Sequence, residues 1–184
     1  MSIMSYFNKI KRGIRGDKEG NMLLAVMGDS HDNRDALQTA IKIAVDKGAK
    51  TLFHTGDLIS PFMLEILHDF PGRIYLVRGN NDGDPLAVSR TIPQQCPQIK
   101  EFGGFITVDF DEFRVAMTHN PEHAKAHAMA GNFNMVLYGH THMFSEKIVG
   151  ETLLLNPGDI MGLKESGSFC LVESDTREVR RLFI

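Results

Sequence analysis

Met22-Leu23-Leu24-Ala25-Val26-Met27-Gly28-Asp29-Ser30-His31 sets six apolar residues in a row against an abrupt Gly-Asp-x-His. Apolar residues at every position, rather than every second one, mark a strand buried on both faces. The run ends in groups that bind cations. Downstream the pattern repeats. Thr51–Thr55 ends in Gly56-Asp57, and Ile74–Arg78 ends in Gly79-Asn80-Asn81-Asp82. Between the first two runs, Leu37, Ala40, Ile41, Ala44 and Val45 make one helical stripe closed by Gly48. Pro61–Phe70, with Pro61 in its first turn, predicts a second helix. This alternation predicts an α/β fold with a parallel sheet.

The second half is strand-rich. Phe105–Phe110 and Phe113–Thr118 predict a hairpin around Asp111-Glu112, and a helix follows Pro121 through Ala124–Ala130. Strands are expected at Asn134–Tyr138, Glu146–Val149, Thr152–Leu155, Phe169–Glu173 and Glu178–Phe183. Two sheets face to face between helices is the natural architecture for this order. Residues 1–20 form a separate, basic extension in which Ile3, Phe7, Ile10 and Ile14 fall on one helical face, so the domain proper is 21–184. That face suits a helix covering the domain, a tail or a membrane-surface segment.

Composition excludes several function classes. Hydrophobic residues at 42% and charged residues at 23% are those of a globular chain, which removes disorder and fibrous repeats. A net charge of -3 with no basic stripe argues against a stable nucleic-acid complex. Cys96 and Cys170 form no C-x-x-C pair and are expected to be buried thiols of a reducing compartment. There is no apolar run of the roughly 18 residues a spanning helix needs, and no apolar signal-peptide core opens the chain. A cytoplasmic location is expected.

The chemistry lies where strands end. Five predicted strands finish in potential metal ligands: Asp29 with His31, Asp57, Asn80, His119, and His140 with His142. Carboxyl ends of strands in open α/β sheets are where ligands bind. Two carboxylates, one amide oxygen and four imidazoles without a thiolate exceed one tetrahedral ion and suit two adjacent divalent ions. The glycines at 28, 56, 79 and 139 are expected to let the chain turn sharply before each ligand.

Gly28-Asp29-Ser30-His31, Gly56-Asp57-Leu58, Gly79-Asn80-Asn81-Asp82, Thr118-His119-Asn120 and Gly139-His140-Thr141-His142, in this order, resemble the calcineurin-like metallophosphoesterases. The resemblance covers 22–184 and is greatest to the small single-domain phosphodiesterase branch of bacteria and archaea. Asn156-Pro157-Gly158 resembles a loop of that branch. The resemblance implies a four-layer α/β/β/α sandwich and often a homodimer. It implies one metal on Asp29, His31 and His142, a second on Asn80, His119 and His140, and Asp57 bridging them. Implied cofactors are two divalent ions, Mn²⁺ foremost, with Ni²⁺, Fe, Co²⁺ or Zn²⁺ also compatible. The implied reaction is hydrolysis of a small phosphoester by hydroxide. A non-catalytic scaffold is the alternative, since a subunit of the eukaryotic retromer complex shares the fold.

Two residues depart from the family pattern. Many phosphatases of the superfamily carry His after the metal-binding Asn, paired with the next Asp, to protonate the leaving group. Asn81 stands there and cannot act as an acid, which leaves Asn80, Asn81 and Asp82 as the catalytic block and favours diesters. Asp159 occupies a position where the branch usually has Ser. Among the remaining histidines, His54 is expected to be structural, His68 solvated, and His123 and His127 either a two-His face or a solvated helix edge. Arg34 and Arg78 are candidates for phosphate contact or for surface pairs.

Overall fold

In the computed structural model, which describes residues 21–110 and 113–184, four parallel strands form one side of the first sheet. They are β1 (Leu23–Met27), β2 (Thr51–His54), β3 (Arg73–Val77) and β4 (Ile99–Gly103). Two antiparallel strands, β10 (Ser168–Glu173) and β11 (Val179–Phe183), extend the sheet beyond β1 to give the order β11-β10-β1-β2-β3-β4. The second sheet contains β5 (Phe105–Phe110), β6 (Phe113–Thr118), β7 (Met135–Leu137), β8 (Phe144–Val149) and β9 (Thr152–Pro157), ordered β5-β6-β7-β9-β8. Its β6, β7 and β9 are parallel, while β5 and β8 are antiparallel edges.

Alternation within each buried strand builds the layers. Leu24 and Val26 of β1 join Val115 and Met117 of β6 and Leu153 and Leu155 of β9 in the core between the sheets. Ala25 and Met27, one residue out of phase, face the helices with Leu37, Ile41 and Phe70. On the far face, Ala116, Val136 and Leu154 pack against Ala124 and Ala128 of a helix. The result is the expected α/β/β/α sandwich of two mixed sheets flanked by helices.

Helix α1 (Arg34–Asp46) is capped by Asn33, whose side chain accepts from Ala36 N at 3.2 Å, and it buries Leu37, Ala40, Ile41 and Ala44. Over Pro61–Phe70 the structure is shorter than the expected helix: a 3₁₀ turn (Pro61–Met63) followed by α2 (Leu64–Leu67). Two further elements are silent in the sequence pattern. Helix α3 (Pro85–Gln95) contains Pro93, and β4 is an edge strand reading Ile-Lys-Glu-Phe-Gly, so neither shows a clean apolar period. The last helix, α4 (Pro121–Ala130), is capped by Asn120 and closed by Gly131. Cys96 and Cys170 are buried free thiols, and burial pushes their pKa up to about 11 and about 12. No helix among the described residues is long and apolar enough to cross a membrane. The 1–20 extension and the Asp111-Glu112 turn lie outside the described residues.

Candidate metal centre

Asp29 and His31 follow β1, Asp57 follows β2, and Asn80 follows β3. His119 follows β6, and His140 and His142 follow β7. Because the sheets pack face to face with these ends on the same side, residues distant in the chain meet, as when His140 N donates to the Asp29 carboxylate, 111 positions away, at 3.1 Å. Asp29, His31, Asp57 and His142 each present a ligand atom, all within 4.8 Å of one another. Asp57 Oδ2 lies 3.4 Å from His31 Nε2 and 3.5 Å from His119 Nε2. Asn80 Oδ1 lies 2.9 Å from His119 Nε2 and 2.6 Å from His140 Nδ1. All seven residues picked out by the strand-end pattern therefore border one cluster, with Asp57 facing both His31 and His119.

The backbone there is unusual. Asp29, His31, Asp57, His140 and His142 all have positive φ, between 44° and 72°, a region that costs a residue with a Cβ about 1–2 kcal/mol. Neighbouring bonds hold them: Asp29 N donates to Gly56 O and His31 N to Asp57 O. The glycines act differently from the sequence expectation. Of the four, Gly56 alone has positive φ. At Gly79 close approach is the constraint, since a Cβ would sit 2.0 Å from Asp57 Oδ1. Five of the candidate ligands take the positive-φ turns themselves, and Gly56, Gly79 and Gly139 make room for His119, Asp57 and Asp29, while Gly28 makes room for Thr55.

The donor set fits divalent metal. It is oxygen and imidazole nitrogen without thiolate, and His31 Nε2 is buried with no hydrogen-bond partner among the described residues. Supporting contacts orient the rings. His119 Nδ1 donates to Thr55 O at 2.8 Å, which aims Nε2 at Asp57 and Asn80. The pattern over residues 22–177 matches the calcineurin-like phosphoesterase superfamily domain. The chain belongs to this superfamily.

Among its relatives, phosphodiesterase MJ0936 of Methanocaldococcus jannaschii is 28% identical over 167 residues, covering 89% of this chain and 99% of the relative. A solved archaeal phosphodiesterase superposes with a TM-score of 0.82 at 26% identity, covering 89% of this chain and 100% of that one. Zinc-complexed Vps29 of Entamoeba histolytica has a TM-score of 0.59 at 18% identity, with 89% and 98% covered, which is a likeness of fold alone. The chain thus has the make-up of the small single-domain phosphoesterases.

Electrostatics follow from burial in this cluster. Burial raises Asp29 to about 6 against the opposing pull of His119 and His142. Burial would raise Asp57 as well, but hydrogen bonds from His119 and Asn81 prevail and hold it below the usual carboxylate range. Burial lowers His31. It opposes protonation of His119 too, yet the bond to Asp57 carries that ring's pKa upward.

The Asn80-Asn81-Asp82 block is arranged for support. Asn81 turns inward: its backbone N donates to Asp57 Oδ1 and its Nδ2 to Asp57 Oδ2, both at 2.8 Å. Asp82 ties the loop, accepting from Ile59 N at 2.6 Å and Gly79 N at 2.8 Å. His54 is fully buried, accepting from Gly56 N and bonding Ser30 Oγ, each at 3.3 Å, between the two aspartate loops. His127 stacks on Phe105, His68 bonds Gln98, and Arg34 pairs with Glu65, all away from the centre. His123 and Arg78 line an open cleft of about 640 Å³ whose wall includes Asn80, His119 and His140.

Two further side chains support the loop of His140 and His142. Asn156 Nδ2 donates to Gly139 O at 2.9 Å and Thr141 Oγ1 at 3.1 Å, pinning the loop of His140 and His142. Asp159 Oδ2 accepts from His142 Nδ1 at 2.7 Å. The sequence marks both, Asn156 in its Asn-Pro-Gly loop and Asp159 where the branch usually has Ser, without showing what either touches.

Proposed function

We propose that the protein is a dinuclear metal-dependent phosphodiesterase. The observation that carries the proposal is the convergence of Asp29, His31, Asp57, Asn80, His119, His140 and His142 on one centre, with Asp57 facing imidazoles of both halves. In this assignment Asp29, His31 and His142 hold one ion, Asn80, His119 and His140 the other, and Asp57 bridges. When bound, two divalent ions would neutralise phosphate charge and supply hydroxide from water for attack on phosphorus.

The chain's own residues set the rest. Asn81 directs its backbone N–H and a side-chain N–H at Asp57, so its role is to hold the bridging carboxylate, and Asp82 keeps the loop in register. Neither offers a proton to a leaving group. His123, on the cleft wall, is the side chain placed to meet the departing oxygen, with solvent as the other source. A site lacking a dedicated acid favours leaving groups that depart unprotonated. Aryl diesters and strained cyclic nucleotides are therefore the expected substrates, and alkyl monoesters are expected to be slow. The MJ0936 relative, named a phosphodiesterase, supports this class, and a fully competent ligand set supports catalysis over a scaffold role.

The test is chelator-stripped protein with Mn²⁺, Ni²⁺, Co²⁺ or Zn²⁺ added back, assayed on monoesters, diesters and cyclic nucleotides, beside Asp57→Asn. Asp57 accepts through both oxygens, so an amide there must turn its NH₂ toward an Asn81 donor, at a cost of about 1–3 kcal/mol. Metal content and turnover are expected to collapse together. Turnover without metal would overturn the proposal, as would alkyl monoesters outpacing aryl diesters. Two bound ions without hydrolysis of any substrate would favour the scaffold.

A further inference from the structure

Asp159 is 1% exposed. Its Oδ2 accepts from His142 Nδ1 at 2.7 Å and Leu163 N at 2.9 Å, and its Oδ1 accepts from Gly162 N at 3.2 Å. No Lys or Arg pairs with it among the described residues. An ionised carboxylate only accepts hydrogen bonds, so the His142 proton sits on Nδ1 and the Nε2 lone pair is free. That Nε2 lies 3.7 Å from Asp29 Oδ1, within the Asp29, His31, Asp57 and His142 group.

The two halves of the centre differ in what stands behind their rings. His142 is backed by a buried carboxylate, whereas His119 is backed by the Thr55 carbonyl. The Asp29 half has a carboxylate of its own, with Asp29 and His142 buried and His31 half-buried, while in the other half Asn80 is a neutral amide, His119 is buried, and both Asn80 and His140 are exposed. A carboxylate behind a ligating imidazole fixes its tautomer and ring plane and raises its donor strength.

We propose that Asp159 is a positioning residue that makes the Asp29–His31–His142 half the tighter of the two metal sites. The proposal rests on the two-ion reading above, and the experiment separates their failures. Chelator-stripped protein is titrated with Mn²⁺ alone by calorimetry, and imidazole ¹⁵N spectra of the metal-free protein report the His142 tautomer. The parent is expected to bind in two unequal steps with His142 protonated on Nδ1. Asp159→Ser, the residue usual in the branch, is expected to weaken the tight step by about 10–100-fold, leave the weak step unchanged and shift the His142 tautomer. Asp159→Asn retains the size and one acceptor if Ser loosens the 159–163 turn, and it is expected to show the same selective loss in smaller measure. Equal weakening of both steps, or no change in the tight step, in a folded variant overturns the role of Asp159. A parent that binds a single ion overturns the two-ion reading and the ranking with it.

Discussion

Gly79→Ala adds one carbon where the centre has no room. Its Cβ would stand 2.0 Å from Asp57 Oδ1, 2.4 Å from Asp57 N and 2.7 Å from Asp57 Cγ. Comfortable carbon contacts begin near 3.5 Å, so roughly 1.5 Å of movement must be found. The Asp57 carboxylate cannot swing away cheaply, because Asn81 holds both of its oxygens. The Gly79 backbone is no freer, since its N–H is bonded to Asp82, which is anchored in turn on Ile59 N. Overpacking of this kind costs about 1–3 kcal/mol. For a chain of this length that is a fall in Tm of about 2–12 °C. The larger effect falls on function, because displacing a positioned group by 1 Å costs on the order of 10²-fold in rate. The assay is bound metal per chain by elemental analysis, with turnover of an aryl diester and a thermal melt on the same sample. Gly104→Ala is the matched control, as a Cβ there meets nothing within 4 Å, and it should keep the metal content of the parent. A Gly79→Ala protein with parental metal content and turnover would refute the assignment of Asp57 as the shared ligand.

Other outcomes follow from burial and from the domain boundary. His54 is completely buried, and burial lowers its pKa from 6.5 to about 3, against the pull of Asp57. As pH falls the unfolded chain takes up this proton first, so the stability it contributes is full above about 6.5 and drains away toward pH 3. By pH 4 the loss is about 3 kcal/mol. Denaturant melts of metal-free parent and His54→Gln should therefore converge as pH drops from 7 to 4, whereas parallel curves would mean that His54 is protonated in the fold. A chain beginning at Asn21 should keep its metal content and its aryl-diester rate, since every residue of the centre lies between Asp29 and Asp159. Loss of either in a soluble, folded truncation would show that the extension helps to build the site.

The strands that build the centre were legible for a simple reason. Strands such as β1 and β9 are buried on both faces and so are apolar at nearly every position, and each stops at a polar residue that the fold needs at the sheet end. Elements without that contrast were not legible. Pro93 inside α3 and the half-polar edge strand β4 give no period to read, and the helix expected over Pro61–Phe70 is broken into a 3₁₀ turn and a single α turn.

The sequence by itself determined which residues are chemically able to bind metal, in what order they occur, and that each follows a strand, because residue type and burial pattern are local properties. It also set the family, through five short blocks. The tertiary structure alone decided how these groups are aimed. Asn81 could have faced the cleft, but only the folded loops show it clasping Asp57. Gly79 reads as a turn residue until β2 and β3 are laid side by side and the Asp57 carboxylate fills the space beside it. Asp159 stands 17 positions from His142, and its partner is settled by β9 lying next to β7 in the second sheet. Hydrogen bonds and steric limits act over a few ångströms, and which atoms come that close depends on how the two sheets stack.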